Sequence, residues 1–247
     1  LENENASTVL QNSYFAEKAE QGVLLSQYRG VTHPSQPNYL ATIAGDFFNW
    51  ASDSCHDFDE TTIVDLLESN QIDWRVYMED LPEDDKLVCE QGLYYRKHNP
   101  FVSFTQNQTS DRLGKIVNAE DFDPDTAPAF SWYGPNIQNC GHTVPGSSLS
   151  GGSIYNVNYA ANWLKGFLEP LLANPTFMEK RLIVLTFDED WPQADDGQPE
   201  AGDPTYMVLL GDMIEPGTIQ DDKYTHYNLL ATIEKNFNLG NLGRNDE

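Results

Sequence analysis

Positive charge is scarce in this 247-residue sequence: Lys and Arg number 14 against 39 Asp and Glu, a formal net charge of −25. A surface with that balance repels phosphate backbones, because the cations that displace condensed counterions are missing. Nucleic acid and anionic membrane surfaces are therefore excluded as partners. Long apolar runs are absent too. The longest clean one is Leu182-Ile183-Val184-Leu185, far short of the roughly 20 residues that span a bilayer, so no stable membrane insertion is expected. Internal repeats and low-complexity linkers are also missing, which points to a single domain over residues 1–247. Disorder, the usual companion of such charge, is excluded by what is present: 39% hydrophobic and 12% aromatic residues.

Cysteine is rare, with only Cys55, Cys89 and Cys140. Cys55 and Cys89 flank one predicted helix–strand unit and are the expected disulfide, leaving Cys140 over. The other reading is three free buried thiols in a cytosolic protein. The opening Leu1-Glu2-Asn3-Glu4-Asn5 carries no initiator Met and no apolar signal region, so a leader has been removed or the stretch belongs to a longer protein. Two glycosylation sequons stand at Asn5-Ala6-Ser7 and Asn107-Gln108-Thr109. With the acidic charge, which suits solubility at low pH, they predict a secreted protein of the extracellular space or cell wall. Nothing in the sequence sets an oligomeric state.

Apolar patterning predicts an α/β fold. Buried strands are expected at 22–28, 73–78, 181–187 and 205–210. Helices are expected over Thr61–Ser69 with Asp59 as N-cap, over Tyr155–Leu172 with a stripe of Tyr155, Tyr159, Trp163, Phe167 and Leu171, and over a final segment marked by Tyr227, Leu230, Ile233 and Phe237. The alternation argues for a doubly wound, mainly parallel sheet with helices on both faces. Residues 79–130 read as a loop-rich insertion walling one side of a site. Ligands of such sheets gather at the carboxyl ends of strands. Those ends carry Thr32-His33-Pro34-Ser35, Glu79-Asp80, Asp188-Glu189-Asp190 and, if Leu1 closes a strand, Glu2-Asn3. Oxygen ligands plus a hydroxyl suit a hard divalent cation with a serine nucleophile.

Each candidate also has a plain structural reading. Ser35 precedes a helix expected over Asn38–Gly45 with Pro37 in its first turn, where it either meets an anion or merely caps. Asp188-Glu189-Asp190 is either a paired or metal-bound set or a solvated acidic loop extended by Asp195-Asp196. Arg96-Lys97-His98 concentrates cationic or ionisable donors in a chain that has few of them, and could offset a phosphate. His142 lies in the loop Asn139-Cys140-Gly141-His142-Thr143, His226 begins the last helix, and His56 reads as a surface residue.

Together these residues resemble a known family. Thr32-His33-Pro34-Ser35-Gln36-Pro37-Asn38-Tyr39-Leu40-Ala41 looks like the signature of fungal phosphate-repressible acid phosphatases, in the phosphoesterase group that also holds phospholipases C, within the alkaline phosphatase superfamily. Leu1-Glu2-Asn3, Tyr77-Met78-Glu79-Asp80-Leu81-Pro82, Tyr95-Arg96-Lys97-His98-Asn99-Pro100-Phe101, Trp163 to Leu172, Thr186-Phe187-Asp188-Glu189 and Tyr224 to Asp246 match in order. Where the family reads Asn-Asp-Gly-His-Asp, this chain has Cys140 and Thr143 in place of the two acids. The resemblance implies an alkaline-phosphatase-like fold. It implies a metal-dependent acid phosphatase that hydrolyses small phosphate monoesters through a phosphoserine on Ser35. Glu2, Asn3, Asp188, Glu189 and His226 would hold a divalent cation. Asn38, Arg96 and Lys97 would bind the phosphate, and His98 or His142 would protonate the leaving group. Two other readings stand beside it. One is a phospholipase C-like diesterase with an apolar rim of Phe47, Phe48 and Trp50. The other is a binding or structural glycoprotein that has lost activity.

Overall fold

Aliphatic and β-branched side chains build the strands where the sequence is most apolar, and the computed structural model describes them within residues 1–191 and 202–247. The acidic pair Asp195-Asp196 lies outside the described residues. In chain order the elements are α1 (Ala6–Val9), α2 (Ser13–Gln21), β1 (Val23–Arg29), α3 (Ser35–Ala44), α4 (Ile63–Ser69), β2 (Trp74–Met78), β3 (Glu90–Gln91), β4 (Tyr94–Tyr95) and α5 (Ser110–Leu113). There follow β5 (Ile116–Asn118), β6 (Phe130–Gly134), α6 (Ile154–Leu172), α7 (Pro175–Met178), β7 (Leu182–Thr186), β8 (Met207–Gly211), β9 (Thr218–Thr225) and α8 (His226–Phe237). None of the described helices is long and apolar enough to cross a membrane. The chain forms two compact units. The first is Leu1–Gly30 with Ile137–Tyr224, the second Val31–Asn136 with Thr225–Glu247.

The first unit holds a four-stranded sheet in the order β7-β8-β1-β9. Its β7/β8 and β1/β8 pairs run antiparallel, with Val184 opposite Leu209 and Leu24 opposite Val208. Helices α1, α2 and α6 bury Val9, Phe15, Leu164 and Leu168 against Leu24, Leu185, Phe187 and Tyr206. Each such side chain contributes roughly 2 kcal/mol through removal of apolar surface from water. The buried face of α6 is Val157, Ala160, Ala161, Leu164, Leu168 and Leu171. The aromatic stripe expected to face inward instead sits to one side. Tyr155 is 50% exposed, while Trp163 and Phe167 stack on each other at 5.7 Å and only partly enter the core. The wide aromatic side chains reach the core margin from a flank, and the small alanines let α6 approach closely along its own stripe.

The second unit holds a parallel three-stranded sheet, β5-β2-β6, with Val76 opposite both Ile116 and Trp132. Central β2 buries Trp74, Val76, Tyr77 and Met78 and so reads as a nearly continuous apolar run. Parallel pairing thus belongs to this sheet, while the described pairs of the other are antiparallel. Helix α4 is capped by Thr62, whose Oγ1 accepts the Val64 amide while Asp65 accepts the Thr62 amide. That reciprocal box displaces the expected Asp59 cap. The stretch 79–130 is not a simple wall. Tyr94, Phe101, Val102, Phe104 and Ile116 are fully buried in the core of this unit. They sit on 3-10 turns and short strands, which carry no helical or strand periodicity.

Candidate catalytic and cation-binding groups

In the first unit, Leu1–Glu4 runs beside the end of β7. The Asp188 amide donates to Leu1 O (3.0 Å) and the Glu4 amide to Glu189 O (3.0 Å). Asn3 adopts the left-handed region, φ 54°. Its amide donates to Asp188 Oδ1 at 2.9 Å. Its side-chain Nδ2 lies 3.0 Å from His142 Nδ1, and that same nitrogen lies 3.2 Å from Glu2 Oε2. The geometry therefore brings Glu2, Asn3, Asp188 and His142 together. Glu2, Glu4 and Glu189 are fully buried, and Asp188 and Asp190 nearly so. Burial, then the neighbouring Glu2 and Glu189, push the Asp188 carboxyl well above the ordinary range. Acids gathered this way repel one another unless a cation joins them, and a hard oxygen donor set with one imidazole fits a divalent ion.

Glu4 is the member that sequence reasoning missed. Its Oε1 accepts the Ser153 amide at 2.9 Å, its Oε2 is buried with no hydrogen-bond partner among the described residues, and burial raises its carboxyl to about 7. The alternation of Glu2 and Glu4 around Asn3 was the available signal. Close packing marks the same spot: a Cβ on Gly151 would stand 2.6 Å from Asn3 Cβ.

In the second unit, α3 starts at Ser35, three residues earlier than expected. Pro37 is tolerated because first-turn amides have no helical acceptor. Ser35 is therefore the first helical residue and not the cap. Pro34 holds the cap position, and no side chain there accepts a hydrogen bond. Asp53 Oδ1 takes the Gln36 amide instead, at 2.9 Å. Asn38 is fully buried, and its amide stitches the preceding loop. Oδ1 accepts from Val31 N (2.7 Å) and Nδ2 donates to Thr32 O (2.7 Å) and Pro34 O (3.3 Å). Its visible work is to shape the turn that presents Ser35.

His98 is buried on a 3-10 turn and stacks on Tyr39 of α3, centroids 5.4 Å apart at 26°. The Arg96 guanidinium pairs with Asp57 and donates to Leu87 O (3.0 Å) and Val102 O (2.9 Å), which holds it inside the loop. Lys97 Nζ meets Asp53 Oδ2 at 2.7 Å. His226 is buried as the first residue of α8. Glu79 and Asp80 hold Asn136, through its amide (2.9 Å) and its Nδ2 (2.7 Å). Phe48 packs on Phe58 and Phe104, and Trp50 stacks on His56, so this aromatic group leans into the core more than it forms a rim.

The disulfide joins Cys55 and Cys89. Cys140 is a buried free thiol. The sequon at Asn107 is corrected by the structure: Asn107 is fully buried, its Nδ2 donating to Phe101 O at 3.0 Å and its Oδ1 accepting from Arg112. A glycan on that nitrogen is incompatible with this fold. Asn5 is half-buried and accepts the Trp191 amide through Oδ1 at 2.7 Å.

Known proteins share this architecture. A Vibrio parahaemolyticus protein of the alkaline phosphatase superfamily superposes with a TM-score of 0.65 at 13% identity, over 99% of this chain and 67% of its own. The lipoteichoic acid synthase LtaP from Listeria monocytogenes does so with a TM-score of 0.59 at 10% identity, over 95% and 69%. The chain thus shares the α/β fold of these two proteins. The model of the Phosphoesterase family matches residues 10–240, and the chain belongs to that family. A probable acid phosphatase of Kluyveromyces lactis is 36% identical over 92% of this chain and 54% of the relative's length. A phosphatidylinositol-3-phosphatase of Mycobacterium tuberculosis is 30% identical over 98% of this chain and 76% of its own. The chain spans about half the length of the fungal relatives it matches, 54% and 51% for the Kluyveromyces lactis and Aspergillus fumigatus proteins.

Proposed function

We propose that this chain carries the chemistry of a secreted, metal-dependent acid phosphatase acting on small phosphate monoesters. The observation that carries the reading is Ser35 at the first position of α3, released from capping by Asp53. Helix N-terminal amides and the positive end of the dipole favour a phosphoryl group at that place. Similarity to fungal acid phosphatases supports the substrate class.

In this reading Glu2, Asn3, Asp188 and Glu189, with His142 or His226, would hold a divalent cation, which when bound would supply positive charge to offset that of the phosphoryl group. Ser35 Oγ, releasing its proton to solvent, attacks phosphorus in line as the ester P–O bond breaks, giving phosphoserine. The departing alkoxide takes a proton from His98 or His142. Water then attacks the phosphoserine, releasing phosphate and restoring the hydroxyl. Arg96 and Asn38 shape the two turns that carry His98 and Ser35.

The test is an aryl-phosphate assay from pH 3 to 9, with and without chelator, on the unaltered chain and on Ser35→Ala. Turnover that is strongest in acid, lost with chelator and lost in Ser35→Ala is expected. Full turnover by Ser35→Ala would remove the nucleophile assignment, and no turnover by the unaltered chain with added divalent cations would favour a binding role.

A further inference from the structure

Two segments of the second unit, 53–57 and 87–97, are joined three times. Cys55 is bonded to Cys89, Asp57 pairs with Arg96, and Asp53 meets Lys97 Nζ at 2.7 Å. Only the last of these links also reaches α3, because the other oxygen of Asp53 accepts the Gln36 amide. One carboxylate thus connects the helix that begins with Ser35 to the turn that ends with His98.

The reason lies in the helix start. A helix leaves its first amides without intrahelical acceptors, and a cap side chain serves the second or third. Here the cap is Pro34, whose side chain has no acceptor, and the third residue is Pro37, which has no amide hydrogen. Gln36 is the remaining amide of that pair. Were Ser35 the cap, its hydroxyl would be turned onto the backbone and lost to chemistry. Asp53 takes over the capping from 17 residues away.

This arrangement carries an electrostatic cost. A full negative charge beside a helix N-terminus competes with an incoming phosphate for the same dipole. Lys97 removes that competition by pairing with Asp53. We infer that Asp53 is a positioning residue of the phosphoryl site, a cap supplied from outside the helix, and that Lys97 serves by neutralising it. The inference rests on the proposed phosphatase reading. It revises the role expected for Lys97, from touching phosphate to screening Asp53.

Four variants decide it: Asp53→Ala, Asp53→Asn, Lys97→Met and the double Lys97→Met/Asp53→Asn. Each is measured for kcat and KM on an aryl phosphate, for inorganic phosphate affinity by calorimetry, and for thermal unfolding. Asp53→Ala should lower kcat about tenfold or more by freeing the helix start, and Asp53→Asn, which keeps the acceptor, should recover most of it. Lys97→Met should raise KM and the phosphate Kd several-fold, roughly three to ten, because Asp53 is left unscreened. Adding Asp53→Asn should reverse that rise. A double variant as weak as Lys97→Met, with Asp53→Asn alone binding phosphate more tightly, would overturn the inference and return Lys97 to the phosphate. Unchanged kcat in Asp53→Ala would also overturn it. Should the unaltered chain bind phosphate without turnover, the phosphatase reading fails, and the four phosphate affinities still decide between screening and direct contact. Absence of both binding and turnover overturns both. If Asp53→Ala does not fold, the Lys97 and Asp53→Asn series decides.

Discussion

His142 places one ring nitrogen 3.2 Å from the Glu2 carboxylate and 3.0 Å from the Asn3 amide nitrogen. Protonated, that nitrogen donates to Glu2. Bare, it accepts from Asn3. The imidazole is therefore poised by a residue pair adjacent in sequence, and Glu2 is tied to it directly.

Glu2→Gln should separate stability from cation binding. The substitution removes a buried charge that pushes up Asp188. The cation-free chain should gain about 1 kcal/mol, while bound divalent cation falls well below one per chain. Thermal unfolding with and without chelator, alongside elemental analysis, reads both. A Glu2→Gln chain that keeps a full complement of cation would count against Glu2 as a ligand.

Asn38→Ala should cost roughly 2–4 kcal/mol in denaturant unfolding, because the buried Val31 amide loses its partner at about 1–3 kcal/mol and the part-buried Thr32 and Pro34 carbonyls, which water can reach, lose theirs at less. Turnover should fall even where the chain stays folded, since the loop before Ser35 loosens.

Stability should decline toward alkaline pH through Glu234. Burial first, and then its contact with Asp246, raise the Glu234 carboxyl from 4.5 to about 8. Asp246 itself accepts the Leu242 and Arg244 amides at 2.5 and 2.6 Å. The folded chain keeps a proton that the unfolded chain releases above 4.5. That contribution is complete below 4.5 and is lost as pH rises to about 8. Glu234→Gln should flatten the thermal midpoint across this window.

Leu168→Ala should cost about 2–5 kcal/mol and Tyr155→Ala well under half of that, since Leu168 is 2% exposed and Tyr155 50%. Equal losses would restore the aromatic stripe as the inward face of α6.

Replacing Cys55 and Cys89 by Ser should cost about 3–4 kcal/mol, the chain-entropy value for a closed loop of 34 residues. Unfolding in the presence and absence of reductant gives the same comparison without mutation.

Much of this was legible because burial writes itself into composition. The apolar runs at β1, β2, β7 and β8 and the helix α6 follow from it, and the Cys55–Cys89 pairing follows from their places on either side of one helix–strand unit. Edge strand β9 was not legible. Its Asp221, Asp222 and Lys223 face solvent and look like a loop, although charges on an exposed edge also prevent unwanted pairing. The start of α3 was misplaced because proline suits several first-turn positions. Glu2, Asn3, Asp188 and His142 each stand out in the sequence singly, and their mutual contacts exist only in the fold. Asp53 had no local signal at all, since its partners Gln36 and Lys97 are 17 and 44 residues away.

Cys140 is 1% exposed and donates to Ile137 O at 3.3 Å, and the Glu2 amide donates to its carbonyl oxygen at 2.9 Å. Burial raises the thiol well above its usual range, so it stays protonated and unreactive while the first unit is closed. A neutral alkylating reagent can meet it only during transient opening, at a rate that follows the open population. The chain thus carries its own clock for the breathing of this unit, wired through one backbone hydrogen bond to Glu2, and a divalent cation held there should slow it.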